Sequence, residues 1–160
     1  MKKALSPISC RLATLKDINV LVDYRILLLK AVQKEIPLQN EKKLRTALQA
    51  YYSKAMKEKT CFSYIAESQK QPIAFGTLIL WNKPGNFFTI TGKSGYILNM
   101  YTLPKYRGLG AASIILDKLI LHARKLKVRK LELHATPIGE PIYRKAGFKE
   151  HPNKVLEKLL

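Results

Sequence analysis

Cysteine, acidic side chains and long apolar runs are all scarce in this chain of 160 residues. The two cysteines, Cys10 and Cys61, are too few for a disulfide framework or a cysteine-based zinc site. We interpret both as small side chains in or near the core, with a catalytic thiol as the alternative. No metal site is expected. Free thiols are typical of a reducing compartment, so we expect a cytoplasmic protein.

No stretch of the chain approaches the roughly 18 consecutive apolar residues that a transmembrane helix needs. Residues 1–7 are basic but contain no apolar stretch of the kind found in secretion signals, so we expect neither export nor a membrane partner. An apolar content of 47% and a charged content of 25% are typical of a globular protein. The length suits one domain, which we expect to span residues 1–160.

The charge balance is strongly basic, because 11 acidic residues face 29 lysines and arginines and leave a net charge of +18. Such a charge favours an anionic ligand: a nucleic acid, an anionic membrane surface, an acidic substrate or a phosphate-bearing cofactor. The lysines are dispersed from Lys2 to Lys158, as on a solvated surface, and no nucleic-acid-binding motif accompanies them. We therefore do not expect a nucleic acid as the ligand, although a basic nucleic-acid-binding protein stays as an alternative.

The spacing of apolar residues predicts an α/β fold with a mixed sheet and helices on its faces. After a first ordered element near Leu12, one helix begins at Ile18 and ends before Pro37, and a second runs from Asn40 to Lys57. The segment 87–90 is predicted as a strand extension or a loop, and one or two closing strands are predicted after Phe148. The other predicted strands are residues 60–67, 73–81, 96–103 and 129–135, and the other predicted helices are 111–126 and 140–145.

The turn between the strand at 96–103 and the helix at 111–126 reads Arg107-Gly108-Leu109-Gly110-Ala111-Ala112. Free N–H groups at a helix N-terminus and its partial positive charge suit a phosphate or pyrophosphate. Glycines let the backbone approach an anion closely and adopt positive φ. The alternative is a helix entry in which two glycines only permit tight packing.

Several segments of the chain resemble the GNAT family of N-acetyltransferases. The Arg-x-x-Gly-x-Ala pattern of residues 107–112 is similar to the coenzyme A signature of that family, and residues 95–107 resemble its preceding strand and Pro-containing exit. Residues 134–148 resemble its later strand, short helix and Tyr…Gly-Phe ending, and residues 11–18 its opening. The resemblance implies a single-domain, mostly antiparallel sheet flanked by helices, with splayed central strands.

By this resemblance the protein transfers the acetyl group of acetyl-CoA directly to a primary amine of a small molecule or peptide. The amides of the turn, from Arg107 through Gly108, Leu109, Gly110 and Ala111 to Ala112, would bind the pyrophosphate. The side chain of Arg107 either adds charge or braces the turn. The family's pantetheine contacts carry over to Met100, Tyr101 and Thr102, with a backbone N–H near Met100 as the oxyanion donor. Thr136 stands where many members have an asparagine that contacts the cofactor.

Proton transfer has one predicted acid and no single predicted base. Tyr143 matches the family tyrosine that contacts the cofactor, and a phenol with a pKa of about 10 is protonated near neutrality, so we predict it as the general acid. Its alternative role is packing against the pocket. Glu67 and His134 are the candidate bases, and a water chain or an amine that arrives neutral needs neither.

Three rival functions and the identity of the acceptor stay open at this point. The rivals are transfer of a longer acyl group, a CoA-binding regulatory module without turnover, and nucleic-acid binding, whose mark is a steep salt dependence. Residues 36–59 and 81–93 are expected to shape the acceptor site. The basic surface favours anionic amines such as amino acids, with protein N-termini and lysines as alternatives. A homodimer and a monomer are both compatible with the sequence.

Overall fold

The helices and strands follow the predicted order as far as the short helix near residue 140. This computed structural model describes residues 7–160. Short 3-10 turns at Leu15–Asp17, Leu38–Asn40 and Pro104–Tyr106 precede the three long helices. The strands are β1 Ser9–Leu12, β2 Cys61–Ser68, β3 Gln71–Asn82, β4 Lys93–Thr102 and β5 Lys130–Glu132, and the helices are α1 Ile18–Val32, α2 Glu41–Lys57, α3 Ala111–Lys125 and α4 Glu140–Lys145.

The five strands form one sheet in the order β1-β2-β3-β4-β5. The first four strands are antiparallel, and β5 runs parallel to β4. The pairing of β4 with β5 extends only from Ser94 to Tyr96, whereas β4 stays paired with β3 as far as Thr102. The two strands therefore diverge beyond Tyr96, as the predicted splay requires. We call residues 97–102 of β4, on the side that faces β5, the open edge.

Both faces of the sheet are covered, which explains why the middle of β3 is a continuous buried run. Helices α1 and α2 pack on one face around Ile65 and Phe75. Helices α3 and α4 pack on the other face around Leu78 and Ile115. A strand that is buried on both faces needs apolar side chains at successive positions rather than at alternate ones.

Strand β4 carries one extra residue at Asn99, whose φ of 59° is in the left-handed region. Leu98 lies opposite Thr77 and Tyr101 opposite Phe75, so β4 has one more residue than β3 between these pairs, which defines a β-bulge. The bulge reverses the alternation of side chains. Met100 packs on the α3 face, and Tyr101 packs on the face covered by α1 and α2.

Several boundaries differ from the predictions. Helix α1 ends at Val32 because Gln33 is extended, residues 87–90 form a loop, and the strand predicted at 129–135 is confined to β5. The closing strands predicted after Phe148 are wrong, since residues 149–160 contain no strand. Pro152 has no N–H to donate to a ladder, and around it the Asn153 N–H bonds to His151 Nδ1 at 3.0 Å in a tight turn. Among the helices of residues 7–160, none is long and apolar enough to cross a membrane.

Candidate active site

The glycine turn (residues 107–112) begins five residues after β4 ends, and it leads directly into α3. Gly108 and Gly110 have φ values of 75° and 87°, which favour glycine over any other residue. The first hydrogen bond of the helix runs from the Ile114 N–H to the Gly110 carbonyl at 3.1 Å. No hydrogen bond within the described part of the chain engages the N–H groups of residues 108–113. This end of α3 therefore presents a cluster of free donors.

Space beside the turn is open. A Cβ atom built on Gly108 or on Gly110 would meet no heavy atom within 4 Å. The glycines are consequently not required for packing, which was the alternative interpretation of the motif. Their positive φ values and the open space suit a backbone that closely approaches an anion.

The side chain of Arg107 braces the turn against the end of β4. Its Nε donates to the Thr102 carbonyl oxygen at 3.1 Å, and its guanidinium carbon lies 5.8 Å from the ring centroid of Tyr101. The position of the glycine turn relative to the open edge is thus fixed by a side chain as well as by the chain connection.

The open edge leaves backbone groups of residues 97–102 without a neighbouring strand. It includes Met100, Tyr101 and Thr102, the three residues expected to pair with an extended arm of the cofactor. Gly76 on β3 lies behind Met100, and a Cβ there would collide with Met100 Sδ and with Ile115 Cγ2. The absence of a side chain at Gly76 lets the bulged strand and α3 pack closely.

Tyr143, Thr136 and Gly139 come together at the start of α4. Tyr143 is only 9% exposed, and burial raises the pKa of its hydroxyl. A Cβ on Gly139 would lie 3.4 Å from Thr136 Oγ1 and 3.6 Å from the Tyr143 hydroxyl. Thr136 accepts hydrogen bonds from the Gly139 and Glu140 N–H groups at its carbonyl oxygen, at 3.0 and 2.9 Å. Within the described residues the Tyr143 hydroxyl makes no hydrogen bond. Every fully buried side-chain N or O atom in this part of the chain has a hydrogen-bond partner, so the Tyr143 hydroxyl oxygen must be accessible to solvent.

The structure places the two candidate bases differently. Glu67 lies on β2, two strands away from β4, and its Oε1 accepts from Arg11 Nε at 2.9 Å. His134 is exposed and follows β5, with its ring centroid 5.6 Å from that of Tyr96. Because Tyr96 is the last β4 residue paired with β5, His134 lies where the two strands part. Of the two, only His134 lies beside the divergence of the strands.

Neither cysteine is activated. Cys61 is buried, and burial raises the pKa of its thiol to about 11. Burial also raises the pKa of the half-buried Cys10. Both thiols are therefore protonated near neutrality, which agrees with a packing role.

Arg25 and Asn99, which the sequence did not single out, join Tyr52 of the segment 36–59 at the bulge, on the face of the sheet covered by α1 and α2. Asn99 Oδ1 accepts from Arg25 Nη1 at 2.8 Å, and Asn99 Nδ2 donates to the Tyr52 hydroxyl at 2.9 Å. Burial is the main cause of the raised pKa of Tyr52, and the positive charge of Arg25 opposes it. The one available signal was an asparagine within an apolar strand, a residue that tolerates positive φ.

Two surface depressions of about 420 and 640 Å³ lie elsewhere, near the C-terminal end of α3. None of the candidate catalytic or cofactor-binding residues lines either of them, although residues 87–91 of the predicted acceptor segment 81–93 contribute to the larger one. An extended ligand that pairs with a strand edge needs an open cleft rather than an enclosed cavity, so the backbone geometry, not cavity volume, defines this site.

Comparison with known proteins gives the family. The family model described as the acetyltransferase (GNAT) family matches residues 29–148, and the chain belongs to this family. No match was found among curated proteins.

Three solved structures illustrate the likeness. A predicted acetyltransferase from Clostridium acetobutylicum, determined with acetyl-CoA, is 30% identical, with a TM-score of 0.81 over 95% of this chain and 96% of that one. Glucosamine-6-phosphate N-acetyltransferase from Arabidopsis thaliana is 14% identical, with a TM-score of 0.71 over 96% and 99% of the two chains. The aminoglycoside N-acetyltransferase AAC(6')-Iy, in complex with CoA, is also 14% identical, with a TM-score of 0.76 over 99% and 98%.

Proposed function

We propose that this chain uses acetyl-CoA to acetylate a primary amine of a small molecule or peptide, within one domain that spans residues 1–160. The observation that carries the proposal is the alignment of two unpaired backbone surfaces. The open edge of β4 offers strand-like hydrogen bonds, and five residues further on the glycine turn offers a cluster of free N–H groups. The family membership and the acetyl-CoA in the Clostridium acetobutylicum structure support this cofactor.

The residues present fit the cofactor in both chemistry and space. The N–H groups around Gly108, Gly110 and Ala111 would hold the pyrophosphate, and the open space beside both glycines leaves room for it. The backbone of Met100, Tyr101 and Thr102 would pair with the pantetheine arm, and Thr136 would contact the cofactor from the start of α4. The net charge of +18 attracts a ligand that carries several phosphates.

Acetyl transfer requires three further groups from this chain: a donor to the oxyanion, a proton donor for the leaving sulfur and a proton acceptor for the amine. When bound, acetyl-CoA supplies a thioester carbonyl that an amine can attack. A backbone N–H near Met100 donates to the oxygen on which negative charge develops. After the amine has formed the new C–N bond, the C–S bond breaks, and Tyr143 would give its proton to the departing sulfur, since burial raises the pKa of its hydroxyl and favours the protonated form. His134 is the candidate acceptor for the amine proton, because the ion pair with Arg11 holds Glu67 elsewhere.

The test is amine-dependent release of free thiol from acetyl-CoA, measured over a panel of small amines and peptides, with the acetylated product detected by mass spectrometry. We expect at least one amine to accelerate thiol release and to gain one acetyl group. Tight binding of acetyl-CoA without any acetylated product would favour the regulatory module instead. Absence of binding, together with salt-sensitive affinity for DNA or RNA, would favour the nucleic-acid alternative.

A further inference from the structure

The guanidinium of Arg25 is a charge without a counterion in the part of the chain that the structure describes. Arg25 lies on α1 and is partly buried. Within residues 7–160 its one hydrogen bond goes to Asn99 Oδ1, at 2.8 Å, and no carboxylate oxygen lies within 4.0 Å. An arginine has five N–H donors, so most of them are left for a ligand. A partly buried cation that lacks a partner is costly, and a bound anion offsets that cost.

The carboxylates carried by α1 and α2 are paired with other cations. On α1, Asp23 receives Arg45 Nη1 at 2.6 Å. On α2, Glu41 pairs with Arg45 Nε at 2.9 Å and with Lys30 Nζ at 2.7 Å. These two carboxylates thus neutralise Arg45 and Lys30, and neither of them pairs with Arg25.

Asn99 fixes the direction of the guanidinium. Arginine only donates, so the amide oxygen of Asn99 faces Arg25 and its Nδ2 faces the Tyr52 hydroxyl, at 2.9 Å. Tyr52 is 1% exposed and Asn99 is 6% exposed, so both side chains are packed in the core and have little conformational freedom. The hydrogen bond from Nη1 to a fixed acceptor restrains the guanidinium, which reduces the entropy lost when an anion binds.

The cluster lies beside the proposed reaction centre. Asn99 directly precedes Met100, whose backbone region is proposed as the oxyanion donor, and the bulge turns Asn99 toward the face covered by α1 and α2. Met100 and Tyr143 pack on the opposite face with α3 and α4. An amine that reaches the open edge from the α1 and α2 face would therefore pass Arg25.

We propose that Arg25 is a specificity residue that binds a carboxylate group carried by the acceptor amine, so that the substrates are amino acids or amines with a similar carboxylate. The inference rests on the proposed function. The planar guanidinium matches a carboxylate in a two-point hydrogen bond. The single positive charge of Arg25 matches the single negative charge of a carboxylate, which favours a monoanion over a phosphate dianion.

The experiment compares matched acceptors and matched variants. Each common amino acid is assayed beside its amide, and phosphoethanolamine beside ethanolamine, with wild type, Arg25→Met, Arg25→Lys and, as the control, Arg124→Met, whose exposed side chain lies in the last turn of α3. In wild type we expect kcat/KM to favour the carboxylates over the amides by at least about tenfold, because a site built for a polar group rejects an analogue that lacks it. Arg25→Met abolishes the preference by raising KM for carboxylates only. Arg25→Lys keeps part of it, and Arg124→Met keeps all of it.

Equilibrium binding gives a readout without turnover. N-Acetylglycine and its amide are titrated by calorimetry into the same four proteins in the presence of CoA, after circular dichroism and melting temperature have confirmed folding. We expect wild type to bind the acid more tightly than the amide, and Arg25→Met to bind both alike.

The outcomes separate the two proposals. If amines are acetylated but amides react as well as acids, or if Arg25→Met retains the preference, the carboxylate subsite is wrong and the proposed function stands. A preference for phosphoethanolamine would assign the site to phosphate instead. If no amine is acetylated, the proposed function fails, and equal binding of acid and amide to wild type would then overturn the subsite as well.

Discussion

Tyr143 is the side chain on which the proposed proton transfer depends. We expect Tyr143→Phe to lower kcat by about 10²-fold, the lower end of the usual contribution of a general acid, with the affinity for acetyl-CoA unchanged. Burial raises the pKa of the hydroxyl above its ordinary value of 10.0, so any loss of kcat from ionisation of Tyr143 is expected at a higher pH than for a free phenol. Steady-state kinetics as a function of pH and calorimetry check these two points. A fall in affinity equal to the fall in kcat/KM would assign Tyr143 to packing.

The Asp17 carboxylate is expected to contribute to the stability of the fold. Hydrogen bonding to Arg11 is the main cause that lowers the pKa of Asp17 from 3.8 to about 2. The ionised form is favoured by folding, so its contribution is present above about pH 4 and is lost as pH falls toward 2. We expect Asp17→Asn to lower the free energy of unfolding at pH 7 and to approach wild type near pH 2, as measured by urea denaturation. Glu157→Gln, in the exposed C-terminal segment, is the control and should change little at either pH.

Some features of the candidate site could be predicted from the sequence, and others could not. Residues 107–112 were predictable because a glycine turn between a strand and a helix is a local pattern. The Arg25, Asn99 and Tyr52 cluster was not, because its two hydrogen bonds join residues 74 and 47 positions apart. Such contacts depend on the register of β4, which a bulge alters and which apolar alternation does not report.

At the scale of elements, Gly76 of β3 lies where side chains of β4 and α3 pack together. A Cβ at this position would collide with Met100 Sδ and Ile115 Cγ2. We expect Gly76→Ala to lower the free energy of unfolding by about 1–3 kcal/mol, the usual cost of overpacking a core, and to reduce acetyl transfer by displacing β4 at Met100. Thermal and urea denaturation measure the first effect, and thiol release the second. In a Met100→Ala background the cost of Gly76→Ala should be smaller, and an equal cost would show that Met100 is not the obstacle.

Element types were more predictable than element ends. The amphipathic pattern of α3 and the apolar run of β3 identified both elements, because each reflects burial of a whole face. The closing strands predicted after Phe148 do not form, and residues 149–160 instead contain a turn at His151 and Asn153. A further strand at this edge of the sheet would have to pair with β5, and β5 is only three residues long.

For the whole molecule, the net charge of +18 predicts sensitivity to salt. Screening shortens the reach of charges from about 10 Å at 0.1 M to 3 Å at 1 M salt, so we expect KM for acetyl-CoA to rise roughly tenfold across that range. S-Acetylpantetheine, which lacks the phosphates, serves as the matched control and should show almost no salt dependence. Equal sensitivity of both thioesters would mean that the charge does not act on the phosphates of the cofactor.

The central claim, that the glycine turn holds acetyl-CoA, is tested most directly by calorimetric titration of acetyl-CoA into wild type, Gly110→Val and Gly147→Val. The two glycines have φ values of 87° and 92°, and neither has a heavy atom within 4 Å of a built Cβ, so both substitutions strain the backbone alike. We predict that wild type and Gly147→Val bind acetyl-CoA and that Gly110→Val does not. Equal binding by all three folded proteins, or no binding by wild type, would contradict it.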